Sequence, residues 1–176
     1  QHVGSFKSRG VLLGLSKLTS DQKRAGVIAF SAGNHALAVS WASKVYGLSA
    51  KVIMPNNADE FRIEGCKAYG AEILLADNAA DGFSLMQKLS ISENRQIMHP
   101  FEADHMILGA ATCGFEMINE MSEMEAIIIP IGGGGLISGI ATAIKLVRPT
   151  VKVYGVEPFG ADSMFQSFSK NRPVII

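Results

Sequence analysis

Six short apolar runs, separated by longer segments with helical periodicity, constrain the fold of this chain most. Consecutive parallel strands need a crossover between them, so this alternation predicts an α/β fold with parallel sheets flanked by helices. The first four runs start at positions 27, 51, 72 and 96 and the last two at 126 and 152, which indicates two separate sheets. The predicted strands are 27–30, 51–54, 72–75, 96–98, 126–129 and 152–156, and the predicted helices are 6–19, 34–46, 59–69, 80–93, 106–122, 136–147 and 161–170.

The composition excludes several classes of protein. Of the 176 residues, 48% are hydrophobic, and 16 basic side chains balance 16 acidic ones. A chain of this size buries a core, which argues against disorder. Its neutral balance and lack of a basic tract argue against nucleic acid or an anionic membrane as the main partner. Cys66 and Cys113 are too few for a disulfide framework, so we expect a cytoplasmic protein.

One uncharged segment, 126–144, approaches the length of a membrane span. Pro130 and four consecutive glycines interrupt it, and free backbone is not tolerated against lipid. We therefore expect a buried strand, a glycine loop and a buried helix here.

The glycine loop, formed by Gly132, Gly133, Gly134 and Gly135, is the strongest single indication of function. Its backbone N–H groups have no side chains in front of them and precede a helix whose dipole favours an anion, as a phosphate cradle requires. The loop lacks the Gly-Lys-Ser/Thr sequence of nucleoside triphosphate loops. The alternative is a tight turn that only permits close packing of helix and sheet.

A second loop, residues 31–35, lies between a predicted strand and the helix at 34–46. Gly33 and Asn34 suit a left-handed turn, and amides at the start of a helix can hold a carboxylate. The alternative is an ordinary turn in which Ser31 or Asn34 caps the helix.

Lys7 has apolar neighbours in a chain that is otherwise poor in charge. A lysine in an apolar site can lose its proton and become a nucleophile, although a solvated lysine is the simpler alternative. With the two loops, Lys7 completes a set that pyridoxal phosphate requires. The cofactor needs an amine for its aldehyde, a cradle for its phosphate and a grip on the carboxylate of an amino-acid substrate.

These residues closely resemble the fold-type II pyridoxal-phosphate enzymes, in particular the serine/threonine dehydratases (threonine ammonia-lyases) and the serine racemases. The matching segments are 4–10 (GSFKSRG), 31–36 (SAGNHA), 54–55 (MP), 70–72 (GAE), 99–101 (HPF), 130–139 (PIGGGGLISG) and 155–158 (GVEP). The resemblance implies a tryptophan-synthase-beta-like fold, apparently truncated at both ends. It also implies a larger pyridoxal-phosphate-binding domain made of residues 1–20 and 111–176, and a smaller α/β domain made of residues 21–110.

The resemblance also implies roles for individual residues. Lys7 would form the Schiff base with pyridoxal phosphate and act as the base at the substrate Cα, and Phe6 would pack beside the cofactor ring. Asn34 would hydrogen-bond the phenolic oxygen of the cofactor. The phosphate would be bound by Gly132, Gly133, Gly134, Gly135 and the amide of Leu136. The substrate site would consist of Ser31, Ala32, Gly33, Asn34 and His35.

The implied reaction is dehydration and deamination of L-serine or L-threonine to a 2-oxo acid and ammonia, by a homo-oligomer acting on a small amino acid. Ala32 stands where racemases of the family carry a serine that acts as a second acid/base, which favours dehydration over racemisation. Ala110 and Ala111 stand where the family has Gln and Gly. Ser163 stands where the cation site of some members has a carboxylate, so no metal is expected.

Other functions remain open at this stage. The chain could be a non-catalytic remnant that binds the cofactor without turnover, a serine racemase, or another fold-type II enzyme such as a synthase. A non-catalytic remnant is considered because the chain departs from the family pattern at several positions and is apparently truncated. A phosphate-binding or purely structural α/β domain is a more distant alternative.

Overall fold

The computed structural model describes residues 2–174 and contains two parallel sheets. The first sheet has the order β3-β2-β1-β4, and the second pairs β5 with β6. The strands are β1 (Val27–Phe30), β2 (Ala50–Pro55), β3 (Glu72–Ala76), β4 (Gln96–Ile97), β5 (Ala126–Pro130) and β6 (Lys152–Val156). Every strand pair is parallel, so the predicted α/β fold and its two sheets are confirmed.

The described α-helices connect these strands, and those between β1 and β4 cover both faces of the first sheet. The α-helices are α1 (Lys7–Ser16), α2 (Ser20–Ala25), α3 (Asn34–Tyr46), α4 (Glu60–Ala68), α5 (Ala79–Ser92), α6 (Asp104–Glu120), α7 (Gly135–Val147) and α8 (Ser163–Lys170). None of the helices within residues 2–174 has the length and apolar character needed to cross a bilayer. The uncharged segment 126–144 is divided into β5, the glycine loop and most of α7, as predicted, but β5 is not a buried strand: only Ile129 is buried, and Ile128 is exposed.

The predicted helix at 6–19 is the main error in the assignment of elements. It ends at Ser16, and a separate helix, α2, follows it. Thr19 and Gln22 form a capping box, in which the Thr19 hydroxyl accepts from the Gln22 N–H and the Gln22 side chain accepts from the Thr19 N–H. The Thr-x-x-Gln spacing is the signal in the sequence that could have revealed this helix start.

The central strand β1 is buried because helices cover both of its faces. Val27 and Ala29 belong to a core cluster that includes Val39 of α3, whereas Ile28 belongs to a second cluster with Met86 of α5. The two opposite faces of one strand therefore contribute to two cores, which explains why the run is apolar throughout.

Helices α1, α6 and α7 pack closely enough to hold the two halves of the chain together. A Cβ on Gly10 would approach the Met106 Cα to 2.7 Å, and one on Gly139 would lie 2.7 Å from the Ala110 Cβ, so glycine is needed at both positions. The Arg9 guanidinium of α1 also donates two hydrogen bonds to the Glu116 carboxylate of α6, at 2.6 and 2.7 Å. This packing fixes the position of the N-terminus of α1 relative to the N-terminus of α7. Helix α6 runs through position 111, so the division into domains at that position stays a prediction.

Candidate functional site

Lys7 is the first residue of α1 and is only partly exposed. Its ammonium group donates a hydrogen bond to the Pro100 carbonyl oxygen, and its Nζ lies 5.1 Å from the centroid of the Phe6 ring. Burial lowers the pKa of Lys7, because the charged form loses hydration in these surroundings. Lys7 therefore has the environment that activates an amine as a nucleophile or base.

The glycine loop lies beside this amine. A cavity of about 250 Å³ is lined by Phe6, Lys7, Phe101, Pro130, Ile131, Gly132, Gly133, Gly134, Gly135 and Leu136. Gly134 is the N-cap of α7 and has a φ of 82°, a left-handed conformation that glycine adopts without strain. The structure thus brings the predicted nucleophile and the predicted phosphate cradle into one cavity.

The four glycines are not equivalent. A Cβ on Gly132 would meet nothing within 4 Å, whereas a Cβ on Gly133 would overlap the Phe101 ring and one on Gly135 would lie 2.9 Å from the Phe101 oxygen. Gly133 and Gly135 are therefore needed for packing against Phe101, as the tight-turn alternative required. That alternative does not account for Gly132, where a side chain would be sterically tolerated.

The 31–35 loop follows β1, on the same side of the sheet as the end of β4. The Ser31 Oγ accepts a hydrogen bond from the Gly33 N–H at 3.2 Å. Gly33 has a φ of −129° and is the N-cap of α3, so the predicted left-handed turn at Gly33 and Asn34 is wrong. Asn34 is exposed at the first turn of α3, and the loop is absent from the set of described residues that line the Lys7 cavity.

His35 points into the protein, with only 3% of its surface exposed. Its Nε2–H donates to the Met98 carbonyl oxygen at 2.8 Å, because a carbonyl can only accept. Within residues 2–174, its Nδ1 is buried and has no hydrogen-bond partner. The His35 side chain thus has a contact that the sequence did not suggest.

The 98–101 segment, which follows β4, connects the parts of the site. The Met98 oxygen accepts from His35, the Pro100 oxygen accepts from Lys7, and the Phe101 ring lies against Gly133. Residues 99–101 belong to the segments that match the family, but the resemblance implied no role for them. The position of the segment after a parallel strand was the available signal, since ligands collect at the carboxyl ends of such strands.

The helices that begin at the site differ from the other helices in the capping of their N-termini. Helices α2, α4 and α5 have side-chain caps from Thr19, Asp59 and Asn78, and Glu157 accepts two N–H groups in the first turn of α8. Among the described residues, the N-caps of α1, α3, α6 and α7 make no side-chain capping bond. These four helices begin at Lys7, at the 31–35 loop, just after Phe101 and at the glycine loop. Their open N–H groups suit the phosphate and carboxylate groups that pyridoxal phosphate and an amino acid would bring.

Comparison with known proteins agrees with this geometry. A family model described as pyridoxal-phosphate dependent enzyme matches residues 1–176. The chain belongs to this family. The resemblance recognised in the sequence is thereby confirmed, and pyridoxal phosphate is the cofactor of the family.

Individual relatives support the same assignment. The chain is 44% identical over 174 residues to a phenylserine dehydratase of Ralstonia pickettii, a match that covers 99% of this chain and 53% of the relative. It is 39% identical over 177 residues to a serine racemase of Schizosaccharomyces pombe, covering 100% of this chain and 55% of the relative. The solved structure of the processed form of threonine deaminase isoform 2 from Solanum lycopersicum superposes with a TM-score of 0.94 at 35% identity, over 99% of this chain and 51% of that one. The chain thus spans about half the length of the curated relatives it matches.

We expect acid to destabilise the protein through His35. Burial is the main reason that the pKa of His35 falls from an ordinary value of 6.5 to about 4; the Met98 hydrogen bond opposes this shift, and the nearby Lys7, His99 and His105 charges contribute to it. Between these pH values the unfolded chain binds a proton that the folded chain does not. The contribution of His35 to stability is therefore complete above pH 6.5 and falls by about 1.4 kcal/mol per pH unit toward pH 4.

The test is urea unfolding of the wild type and of His35→Gln at pH 7 and pH 4.5. Because glutamine does not titrate, the free energy of unfolding of the wild type should fall by about 2 kcal/mol more than that of the variant over this interval. An equal fall in both proteins would contradict the expectation.

Proposed function

We propose that this chain is the lysine- and phosphate-binding part of an enzyme that dehydrates and deaminates β-hydroxy amino acids such as L-serine or L-threonine. The observation that carries the proposal is the single cavity in which the Lys7 amine and the glycine loop meet. Measurement of 2-oxo acid and ammonia released from L-serine and L-threonine, with and without pyridoxal phosphate, tests it. Release that does not depend on the cofactor, or binding of the cofactor without any release, would count against it.

The proposed binding roles are those that the family resemblance implies. The N–H groups of Gly132, Gly133, Gly134, Gly135 and Leu136 would hold the phosphate, and Phe6 would pack beside the cofactor ring. Asn34, which is exposed at the start of α3, would donate to the phenolic oxygen. The substrate carboxylate binds to the loop of Ser31, Ala32, Gly33, Asn34 and His35, where the open N-terminus of α3 stabilises negative charge.

Lys7 is the proposed acid/base. Bound here, pyridoxal phosphate supplies an electron sink that stabilises negative charge at the substrate Cα. The Lys7 Nζ, with its pKa lowered by burial, accepts the proton from Cα. The Cα–H electron pair then forms the Cα–Cβ double bond, while the β-hydroxyl takes the proton now held by Lys7 and leaves as water. The 2-aminoacrylate or its methyl homologue hydrolyses to the 2-oxo acid and ammonia.

The substrate class is supported by the names of the relatives. Those proteins are named for phenylserine, serine and threonine, which are all β-hydroxy amino acids. Their common feature is a hydroxyl on Cβ that can leave once Cα loses its proton. We therefore propose this class of substrate rather than one particular member.

Racemisation is the second candidate, since serine racemases are among the relatives. A racemase needs one group on each face of Cα, and Lys7 serves one face only. Ala32 has neither a donor nor an acceptor at the position where the resemblance implies the second group. Dehydration is therefore the function that we favour.

We expect Ala32→Ser to raise the formation of D-serine from L-serine, because a hydroxyl would then be available on the opposite face. Chiral chromatography measures this, and Ala32→Gly is the matched control, since it changes the same loop without adding a donor. Equal D-serine from the two variants, or substantial D-serine from the wild type, would show that position 32 does not select the reaction.

The remaining expectations are also proposals. The division into residues 21–110 and residues 1–20 with 111–176 is supported by the two separate sheets. A homo-oligomer is supported by the large apolar side chains exposed around the second sheet and α8, such as Ile128, Phe159 and Phe168. Light scattering of the purified protein tests the oligomer. A cytoplasmic location rests on the small number of cysteines and is tested by fractionation.

A further inference from the structure

We propose that His35 is a positioning residue for Lys7, because its Nε2–H holds the Met98 carbonyl and thereby fixes the segment whose Pro100 oxygen accepts the Lys7 hydrogen bond. The inference rests on the proposed role of Lys7. It adds a function for the His35 side chain to the one proposed for its backbone in the carboxylate site.

The His35 side chain is held rigidly by its surroundings. It lies in the first turn of α3, whose residues 35–40 are all buried against the first sheet and α1. A buried ring on a packed helix has little freedom, so its Nε2 is a fixed point. The hydrogen bond to the Met98 oxygen, 2.8 Å long, transmits this fixed position to the end of β4.

The 98–101 segment is anchored at its start, where the Met98 side chain is buried in the core cluster that contains Val27. The Met98 N–H donates to the Ile28 oxygen at 2.9 Å, which is the last hydrogen bond between β4 and β1. Beyond it, the His99 Nδ1 accepts from the Glu102 N–H at 3.1 Å, and this bond closes a local turn without attaching it to the sheet. The bond from His35 therefore fixes the orientation of the Met98 carbonyl at the point where the chain leaves the sheet.

The 98–101 segment contacts Lys7 and the glycine loop directly. The Pro100 oxygen accepts from the Lys7 ammonium, and the Phe101 ring covers Gly133. A shift of the Met98 carbonyl would move both contacts together. Misplacement of a reacting group by about 1 Å can lower the rate by a factor on the order of 100. A displacement passed from His35 to Lys7 through these contacts would therefore be measurable.

The chemistry of the histidine also fits a fixed donor. With the hydrogen on Nε2, Nδ1 is a bare acceptor, and among the described residues it has no partner.

The test compares His35→Gln with His35→Met. The Gln side-chain amide reaches as far as the imidazole Nε2 and can donate to the Met98 oxygen, whereas methionine has a similar length and no donor. Leu37→Ala is the matched control, because Leu37 is a buried residue of the same helix whose loss weakens packing without removing this bond. Melting temperatures identify variants of equal stability.

Two readouts follow Lys7 itself. One is the rate at which pyridoxal phosphate becomes attached at Lys7, trapped with borohydride and located by peptide mapping. The other needs no cofactor: competitive acetylation with acetic anhydride as a function of pH, which reports the pKa and reactivity of the Lys7 amine. We expect His35→Met to slow attachment by about tenfold or more and to shift the acetylation profile, and we expect His35→Gln and Leu37→Ala to stay within about twofold of the wild type.

The outcomes separate the two proposals. If no pyridoxyl group forms on Lys7 of the wild type, the proposed function fails, and the acetylation profiles still decide the role of His35. If His35→Met resembles His35→Gln in acetylation, or if Leu37→Ala shows the same change, the positioning role is wrong. If His35→Met does not fold, His35→Asn replaces it, since its shorter amide cannot reach the Met98 oxygen.

Discussion

Lys7→Ala is expected to abolish both cofactor attachment and elimination. The alanine has no amine to bond the cofactor aldehyde and no base to take the Cα proton. Loss of a general base alone costs a factor of about 100 to 10,000, and loss of the covalent contact adds to it, so we expect at least about a 10,000-fold fall in ammonia release. Steady-state ammonia release and peptide mapping after borohydride reduction measure the two effects.

Two controls make this result specific to Lys7. Lys17→Ala removes an exposed lysine at the other end of α1 and should leave both readouts unchanged. A small added amine, such as methylamine, should partly restore elimination in Lys7→Ala, because it can take the place of the missing base. A pyridoxyl group found on Lys44 or Lys67 of the wild type would contradict the assignment of Lys7.

Gly132→Asp is expected to weaken binding of pyridoxal phosphate by about 100-fold or more, equivalent to about 2.7 kcal/mol. The added carboxylate would face the phosphate at the open N-terminus of α7, and the like charges would repel each other. Fluorescence or absorbance titration with pyridoxal phosphate, at constant ionic strength, measures the affinity.

The choice of position is decided by the contacts of the loop. Gly132→Ala is the matched control, because a Cβ at this position meets no atom within 4 Å and should change affinity by little. Gly133→Asp is a poorer test, although Gly133 is exposed, since even a Cβ there would overlap the Phe101 ring and disturb the loop without any charge effect. Equal affinities for Gly132→Asp and Gly132→Ala would mean that the loop does not bind the phosphate.

The outline of the fold could be predicted because it depends on local patterns. Apolar runs of strand length between helical segments indicate parallel strands wherever they occur, and the glycines after two helices mark their ends. Gly47 and Gly70 have φ values of 66° and 87°, as expected for residues that follow a helix. Helix α2 was not predicted, although the spacing of Thr19 and Gln22 in its capping box is present in the sequence.

The candidate site could be predicted only in part. Lys7 and the glycine loop stand out in the sequence because their chemistry is unusual in a chain of few charges, and the structure brings them to one cavity. The conformation of Gly33 could not be predicted, since both helical starts and left-handed turns use glycine there. The contacts of the 98–101 segment could not be predicted, because two of them use backbone oxygens, which every residue possesses.

By itself, the sequence determined the class of fold, the family and the chemical groups available for catalysis, because these depend on residue type and local spacing. The tertiary structure decided which strands are neighbours, which glycines are needed for packing, and how His35 reaches Lys7 through the Met98 and Pro100 carbonyls. These features join residues that are far apart along the chain. Their energies depend on three-dimensional packing, which no local pattern contains.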